Sequence, residues 1–179
     1  MSKLRDPHAV AQATGCTESD VAQALPIILE ALQEQGLLQI NVVIGALATV
    51  AVECSFKPVE EAYYLKPAPR MRYFDTTKYA RVDPETGKRY NGRGYIQLTW
   101  RSNYEKYGKL LGLDLVHQPE LCLQIHTAAR VLAAYFKQCG VDVVCKEADW
   151  EQVRRRVNGG LNGYERFIGC VRRLQPLAQ

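Results

Sequence analysis

Three acids in the first third of the chain have the type and spacing to move protons in one reaction. Glu53 is the lone charged side chain between Gln35 and Phe56, at the end of an apolar run. Burial disfavours a carboxylate anion, and the negative end of a helix dipole acts the same way. A glutamate there can hold its proton near neutral pH and serve as a general acid. The same local pattern fits a glutamate that pairs with an Arg or Lys from a loop. Glu60 and Glu61 follow Phe56-Lys57-Pro58-Val59, and either is a candidate second carboxylate. Two carboxyl groups roughly 6.5–9.5 Å apart across a glycosidic bond leave room for water and hydrolyse it with inversion. Alone, two adjacent glutamates are more often a solvated pair.

The richest segment runs from Arg89 to Tyr104, RYNGRGYIQLTWRSNY. Glycines on both sides of Arg93 permit unusual backbone angles or close approach. Tyr95 to Thr99 alternates like a short strand, which predicts Tyr95, Gln97 and Thr99 on one face. Gln97, Thr99 and Asn103 can bind acetamido and hydroxyl groups, and Thr99 can hold a water. No Gly-Lys-Ser/Thr follows the glycines, so a phosphate-binding loop is excluded. Ten of the sixteen aromatic residues lie between Tyr63 and Tyr107, among them Tyr73, Tyr79, Tyr90 and Trp100. Such rings suit the apolar faces and hydroxyl edges of sugars, although about half are expected to pack structurally.

Helices must position these groups. Asp6–Gln12 reads as a short opening helix. Thr17 reads as the N-cap of a second, with Val21, Ala24, Leu25, Ile28, Leu29 and Leu32 on one face, a kink at Pro26 and an end at Gly36. Gln39–Cys54 is apolar almost all round, as a central helix is. At 16 residues, the apolar run Leu37–Val52 falls short of the ~20 needed to span a membrane. Leu65–Arg89, punctuated by Pro67, Pro69, Pro84 and Gly87, reads as a long ordered loop, and loops this long are often functional. Helical patterns resume over Trp100–Leu111, Leu123–Gln138, Trp150–Val157 and Tyr164–Leu174, with no repeat and little β structure.

The length of 179 residues suits one domain, and the net charge of +4 suits an anionic polymer such as a cell wall or nucleic acid. Arg154-Arg155-Arg156 and Arg172-Arg173 fall on amphipathic helices and read as solvated faces, without a nucleic-acid motif. The N-terminus carries no apolar run behind its charges, so no secretory signal is expected. The six cysteines form no Cys-x-x-Cys pair and the three histidines lack zinc-type spacing. Buried reduced thiols are expected, with a Cys139–Cys145 disulfide as the alternative, and no metal site.

The run Tyr90–Thr99, with Asn103-Tyr104 and Tyr107-Gly108, closely resembles the central signature of glycoside hydrolase family 19, which contains plant-type chitinases and many phage endolysins. The resemblance extends upstream over Ala11–Phe56 and downstream to Val157–Gly163 and Arg166. It implies a mainly α, lysozyme-like single domain over residues 1–179, with a deep substrate cleft and little β structure. It implies Glu53 as general acid, Glu61 as general base and Thr99 as the water-positioning hydroxyl. It places Gln97 and Asn103 at sugar contacts and Asn158 and Arg166 in the cleft; Tyr90, Tyr95 and Trp100 complete the expected substrate surface. The spacer Cys54-Ser55 is one residue shorter than in many relatives, which leaves Glu60 as a competitor of Glu61. Trp100 stands where relatives usually have a small residue or His. The implied activity is inverting hydrolysis of β-1,4 bonds in N-acetylglucosamine-containing polymers. The short chain favours a peptidoglycan-degrading endolysin or lysozyme reaching the wall without a signal, over a chitinase and over a non-catalytic glycan-binding module. The polysaccharide is the expected partner of a monomer, with no cofactor, nucleic acid or membrane insertion.

Overall fold

The computed structural model describes residues 3–179. Helix α1 (Pro7–Thr14) starts where the Asp6 carboxylate accepts from the His8 N–H at 3.0 Å, and stops at the left-handed Gly15. Helix α2 (Glu18–Glu34) lacks the expected side-chain cap, because the Thr17 hydroxyl makes no such bond. Glu18 and Asp20 instead put negative charge against the positive end of the dipole. The helix runs on through Pro26. It ends as expected near Gly36, where a φ of 69° lets the Leu37 N–H reach back to the Leu32 carbonyl at 2.8 Å.

Helix α3 (Ile40–Cys54) is buried without a break from Val42 to Ala51. It has no solvent stripe because other helices surround it, which is what an all-round apolar sequence requires. Among the described residues no helix is long and apolar enough to cross a membrane.

Strand β1 (Val59–Glu60) follows. The segment Leu65–Arg89, expected as loop, contains helix α4 (Pro67–Thr76) and a 3-10 turn at Lys78–Ala80. Pro67 sits in the first turn, where a missing N–H costs nothing. Only Phe74 of α4 is buried, so the sequence carries no apolar stripe to announce it. Phe74 packs with Ala62 and Ala80, against Leu65 and Tyr79, in a small cluster separate from the main core.

Strand β2 (Arg93–Gly94) pairs antiparallel with β1, Val59 opposite Gly94 and Glu60 opposite Arg93. The strand expected over Tyr95–Thr99 is instead a tight turn. Arg93 and Leu98 exchange backbone bonds of 3.2 and 2.9 Å around it, with positive φ at Gly94 and Gln97. Tyr95, Gln97 and Thr99 therefore do not share a face. The remaining helices are α5 (Arg101–Leu111), α6 (Ile125–Gln138), α7 (Val141–Lys146), α8 (Trp150–Asn158) and α9 (Tyr164–Leu174). α7, α8 and α9 pack against α3, and α2 packs against α6. All six cysteines are free, so the Cys139–Cys145 bridge does not form.

Candidate active site

Glu53 stands one residue before the end of α3. Ser55 and Phe56 then both take left-handed backbone angles, φ 51° and 65°, and the buried Phe56 ring anchors the turn. Of the six non-glycine residues with positive φ, Ser55, Phe56, Ala62, Gln97 and Trp100 lie on the segments that carry the candidate residues; Ala148 lies elsewhere. Such angles cost roughly 1–3 kcal/mol each and persist where the surroundings fix a site's geometry.

Glu53 Oε1 accepts from Arg154 Nη1, and the two side chains are only 16% and 5% exposed. Arg154 is therefore not on a solvated face, contrary to the expectation for the arginine triplet. It shares the inward side of α8 with Trp150 and Val153, and its Nε donates to the Asn162 carbonyl at 2.7 Å. Its neighbours behave differently. Arg155 pairs with Glu151 in solvent, and Arg156 donates to the Cys139 and Gly140 carbonyls beyond α6. The ion-pair alternative for Glu53 is thus realised, with a partner from a helix. Glu53 Oε2 accepts no hydrogen bond among the described residues.

The adjacent acids point to different partners: Glu60 ends strand β1 and Glu61 begins the turn that follows it. Glu60 Oε1 lies 3.0 Å from Arg93 Nη2 and accepts from Asn91 Nδ2 at 3.2 Å, with Arg70 at 3.8 Å from Oε2. Arg93 is 7% exposed and also donates to the Tyr104 hydroxyl and the Arg89 carbonyl. Glu60 is therefore part of a buried structural network.

Glu61 is held from three directions. Its Oε1 accepts from Tyr79 at 2.6 Å and Tyr73 at 2.8 Å, and its Oε2 accepts from the Gly92 N–H at 3.1 Å. Its own N–H donates to the Gly92 carbonyl at 2.7 Å. Burial first, and then the bond to Glu61, push the Tyr79 phenol far above its ordinary value, so Tyr79 remains a donor. Both glycines of the signature are needed. A Cβ on Gly92 would stand 2.9 Å from Gln97 Oε1, and one on Gly94 the same distance from the Cys122 carbonyl.

Gln97 straps this region together through Nε2, which donates to the Val59 and Gly94 carbonyls at 3.0 and 3.1 Å. The Thr99 hydroxyl donates to the Gln97 carbonyl at 2.7 Å, and Asn103 Nδ2 donates to the Thr99 carbonyl at the same distance. Trp100 is 48% exposed, and its ring packs 5.3 Å from that of Tyr79. It lines a cavity of about 260 Å³ with Tyr79, Arg81 and Arg101.

Two expected sugar contacts are structural instead. Tyr90 is 2% exposed, and its hydroxyl engages Thr86 Oγ1 at 2.8 Å and the Val116 carbonyl at 3.0 Å. Tyr95 is fully buried, and its hydroxyl has no partner. Because that oxygen is already unpaired, Tyr95→Phe is expected to gain about 1 kcal/mol, or a few degrees in Tm at this length. A thermal melt that fell clearly below the parent would contradict this placement.

Asn158 and Arg166 border the Glu53 side. Asn158 Nδ2 donates to the Asn162 carbonyl at 3.1 Å, the carbonyl that also anchors Arg154. Arg166 Nη2 donates at 3.1 Å to the Ala51 carbonyl, one of those left open at the end of α3. Sequence reasoning missed Arg154, Tyr73 and Tyr79 as partners of the acids. For Arg154 a signal existed, since Trp150, Val153, Arg154 and Val157 have the spacing of a buried helix face.

Residues 63–142 match the family model described as chitinase class I of glycoside hydrolase family 19. That segment contains Gln97, Thr99 and Asn103 but begins after both acids. An endochitinase of Arabidopsis thaliana is 40% identical over 76 residues, which cover 42% of this chain and 27% of that protein. A glycosyl hydrolase family 19 domain-containing protein of Haemophilus influenzae is 37% identical over 93 residues, 49% of this chain and 42% of that protein. The chain thus aligns with well under half the length of either relative. A solved bacterial family 19 chitinase shares the fold over 97% of this chain and 95% of its own, with a TM-score of 0.70 at 19% identity. The signature is thus matched in sequence over residues 63–142, and the helices around it share the fold of a solved family 19 chitinase.

Proposed function

We propose that the protein hydrolyses β-1,4 bonds of an N-acetylglucosamine polymer with inversion, with Glu53 as general acid and Glu61 as general base. One observation carries this reading: two carboxylates, from either side of the strained Ser55-Phe56 turn, are each fixed by tertiary partners. Glu53 keeps Oε1 on Arg154 and protonates the glycosidic oxygen from Oε2, since a neutral carboxylic acid still accepts on its carbonyl oxygen. Glu61, ionised and oriented by three donors, takes a proton from the water that attacks the anomeric carbon. The Thr99 hydroxyl positions that water, turning from the Gln97 carbonyl when substrate arrives. Trp100 offers an exposed ring to a sugar face.

The curated relatives named as endochitinases support a chitin-type backbone as substrate. A peptidoglycan substrate is the second reading, supported by charge: Lys66, Arg72 and Lys78, on the segment beside Glu61, pair with no acid among the described residues. Anionic peptide substituents would meet them. The test is incubation with chitin hexamer and with purified peptidoglycan, the released anomer being read by NMR at early times. The α-anomer is expected first, from chitin hexamer at least. A β-anomer product would rule out inversion, and no cleavage of either polymer would rule out the hydrolase.

A further inference from the structure

Beyond the two acids, the hydroxyls of Tyr73 and Tyr79 supply two of the three donors that orient Glu61. They come from different elements, α4 and the 3-10 turn at Lys78–Ala80, yet both donate to one oxygen of Glu61. The other oxygen is held by the Gly92 N–H. Three donors on one carboxylate exceed what solubility or packing requires. Tyr73 is 38% exposed, so its hydroxyl could have been left to water without penalty.

The geometry points to Tyr73 and Tyr79 as positioning residues that hold the Glu61 carboxylate aimed for proton abstraction. This rests on the reading of Glu61 as the base. Two donors from separate elements fix the direction in which Glu61 Oε1 points. Of the cations around Glu61, Arg93 and Arg70 lie on the neighbouring Glu60, whereas Lys66, Arg72 and Lys78 on the adjoining segment pair with no acid among the described residues; the Gly92 amide is the third donor. The clamp also links the base to the small Phe74 cluster, because Tyr79 packs against that cluster and α4 carries Tyr73. Trp100, packed against Tyr79 with the rings tilted by 55°, extends the link to the exposed aromatic surface.

The test is a set of kcat and KM measurements on chitin hexamer for the parent chain, Tyr73→Phe, Tyr79→Phe, the double variant and Glu61→Gln. Phenylalanine keeps each ring, and circular dichroism with thermal melts checks the fold. Losing one positioning bond should lower kcat severalfold, and the double variant should lose about tenfold to a hundredfold in kcat with KM within about twofold of the parent. Unchanged kcat in folded variants overturns the clamp. So does a loss carried by KM alone, which would assign the tyrosines to substrate contact. If Glu61→Gln keeps parental activity, the base assignment fails and the clamp falls with it. If Glu61→Gln is inactive while the tyrosine variants behave as the parent, only the clamp fails.

Discussion

Glu53→Gln is expected to lower kcat on chitin hexamer by about 10³-fold, within the 10²–10⁴-fold range of a positioned general acid. Glutamine preserves the shape of the side chain and an oxygen that accepts from Arg154. It lacks a proton to deliver from the position of Oε2, the atom that accepts no hydrogen bond among the described residues. KM should change little, because the lost interaction forms only as the leaving oxygen gains charge. The fold should survive. Arg154 keeps its bond to the Asn162 carbonyl at 2.7 Å, and the remaining loss of charge pairing is on the order of 1–2 kcal/mol. Single-turnover kinetics beside a thermal melt separate the two effects. A folded Glu53→Gln protein within tenfold of the parental rate would remove Glu53 from the mechanism.

The second large effect is on stability. Arg154→Leu is expected to destabilise the protein by about 3 kcal/mol, the lower end for breaking a buried pair by removing one partner. At this chain length that is a drop in Tm of roughly 6–12 °C. The lower end applies because Glu53 retains 16% exposure and water can relieve part of the stranded charge. The substitution also frees the Asn162 carbonyl, leaving Asn158 as its side-chain donor. The turn between α8 and α9 should loosen and the orientation of Glu53 with it, so activity falls as well. Arg155→Leu, one position along, removes a solvent-exposed pair worth at most about 1 kcal/mol and should melt like the parent. Differential scanning calorimetry on the two variants makes the comparison. Equal melting temperatures would mean that the Glu53–Arg154 pair does not support the fold.

The strained backbone bears on both results. Ser55 and Phe56 turn the chain sharply after Glu53, and Glu61 comes to Tyr73 and Tyr79. A buried phenylalanine holds the unfavourable angle there.

Much of the fold was legible in local pattern. The apolar periodicity of α2, the all-round apolar α3 and the helix end at Gly36 are decided by neighbours within a few residues, and they appear where the sequence places them. The glycines at 92 and 94 were correctly read as sites of close approach, though what they approach was not readable. α4 escaped notice because it buries one side chain, and the Tyr95–Thr99 turn was misread because alternation over five residues does not distinguish a strand from a hairpin loop. The signature segment was also read as a row of sugar contacts. Tyr90 and Tyr95 are instead core residues, since polarity at a ring's tip says nothing about which way the ring faces.

By itself, then, the sequence determined the helical framework, the signature and the identity of the candidate acids, because each is written in residue types and short spacings. Tertiary structure alone decided which acid has which partner. Glu53 meets an arginine 101 residues away, and adjacent glutamates diverge, one into a buried arginine network and the other under two tyrosines. Those pairings depend on how helices pack and on how the chain turns after strand β1, and a through-space contact of that kind leaves no local pattern to read.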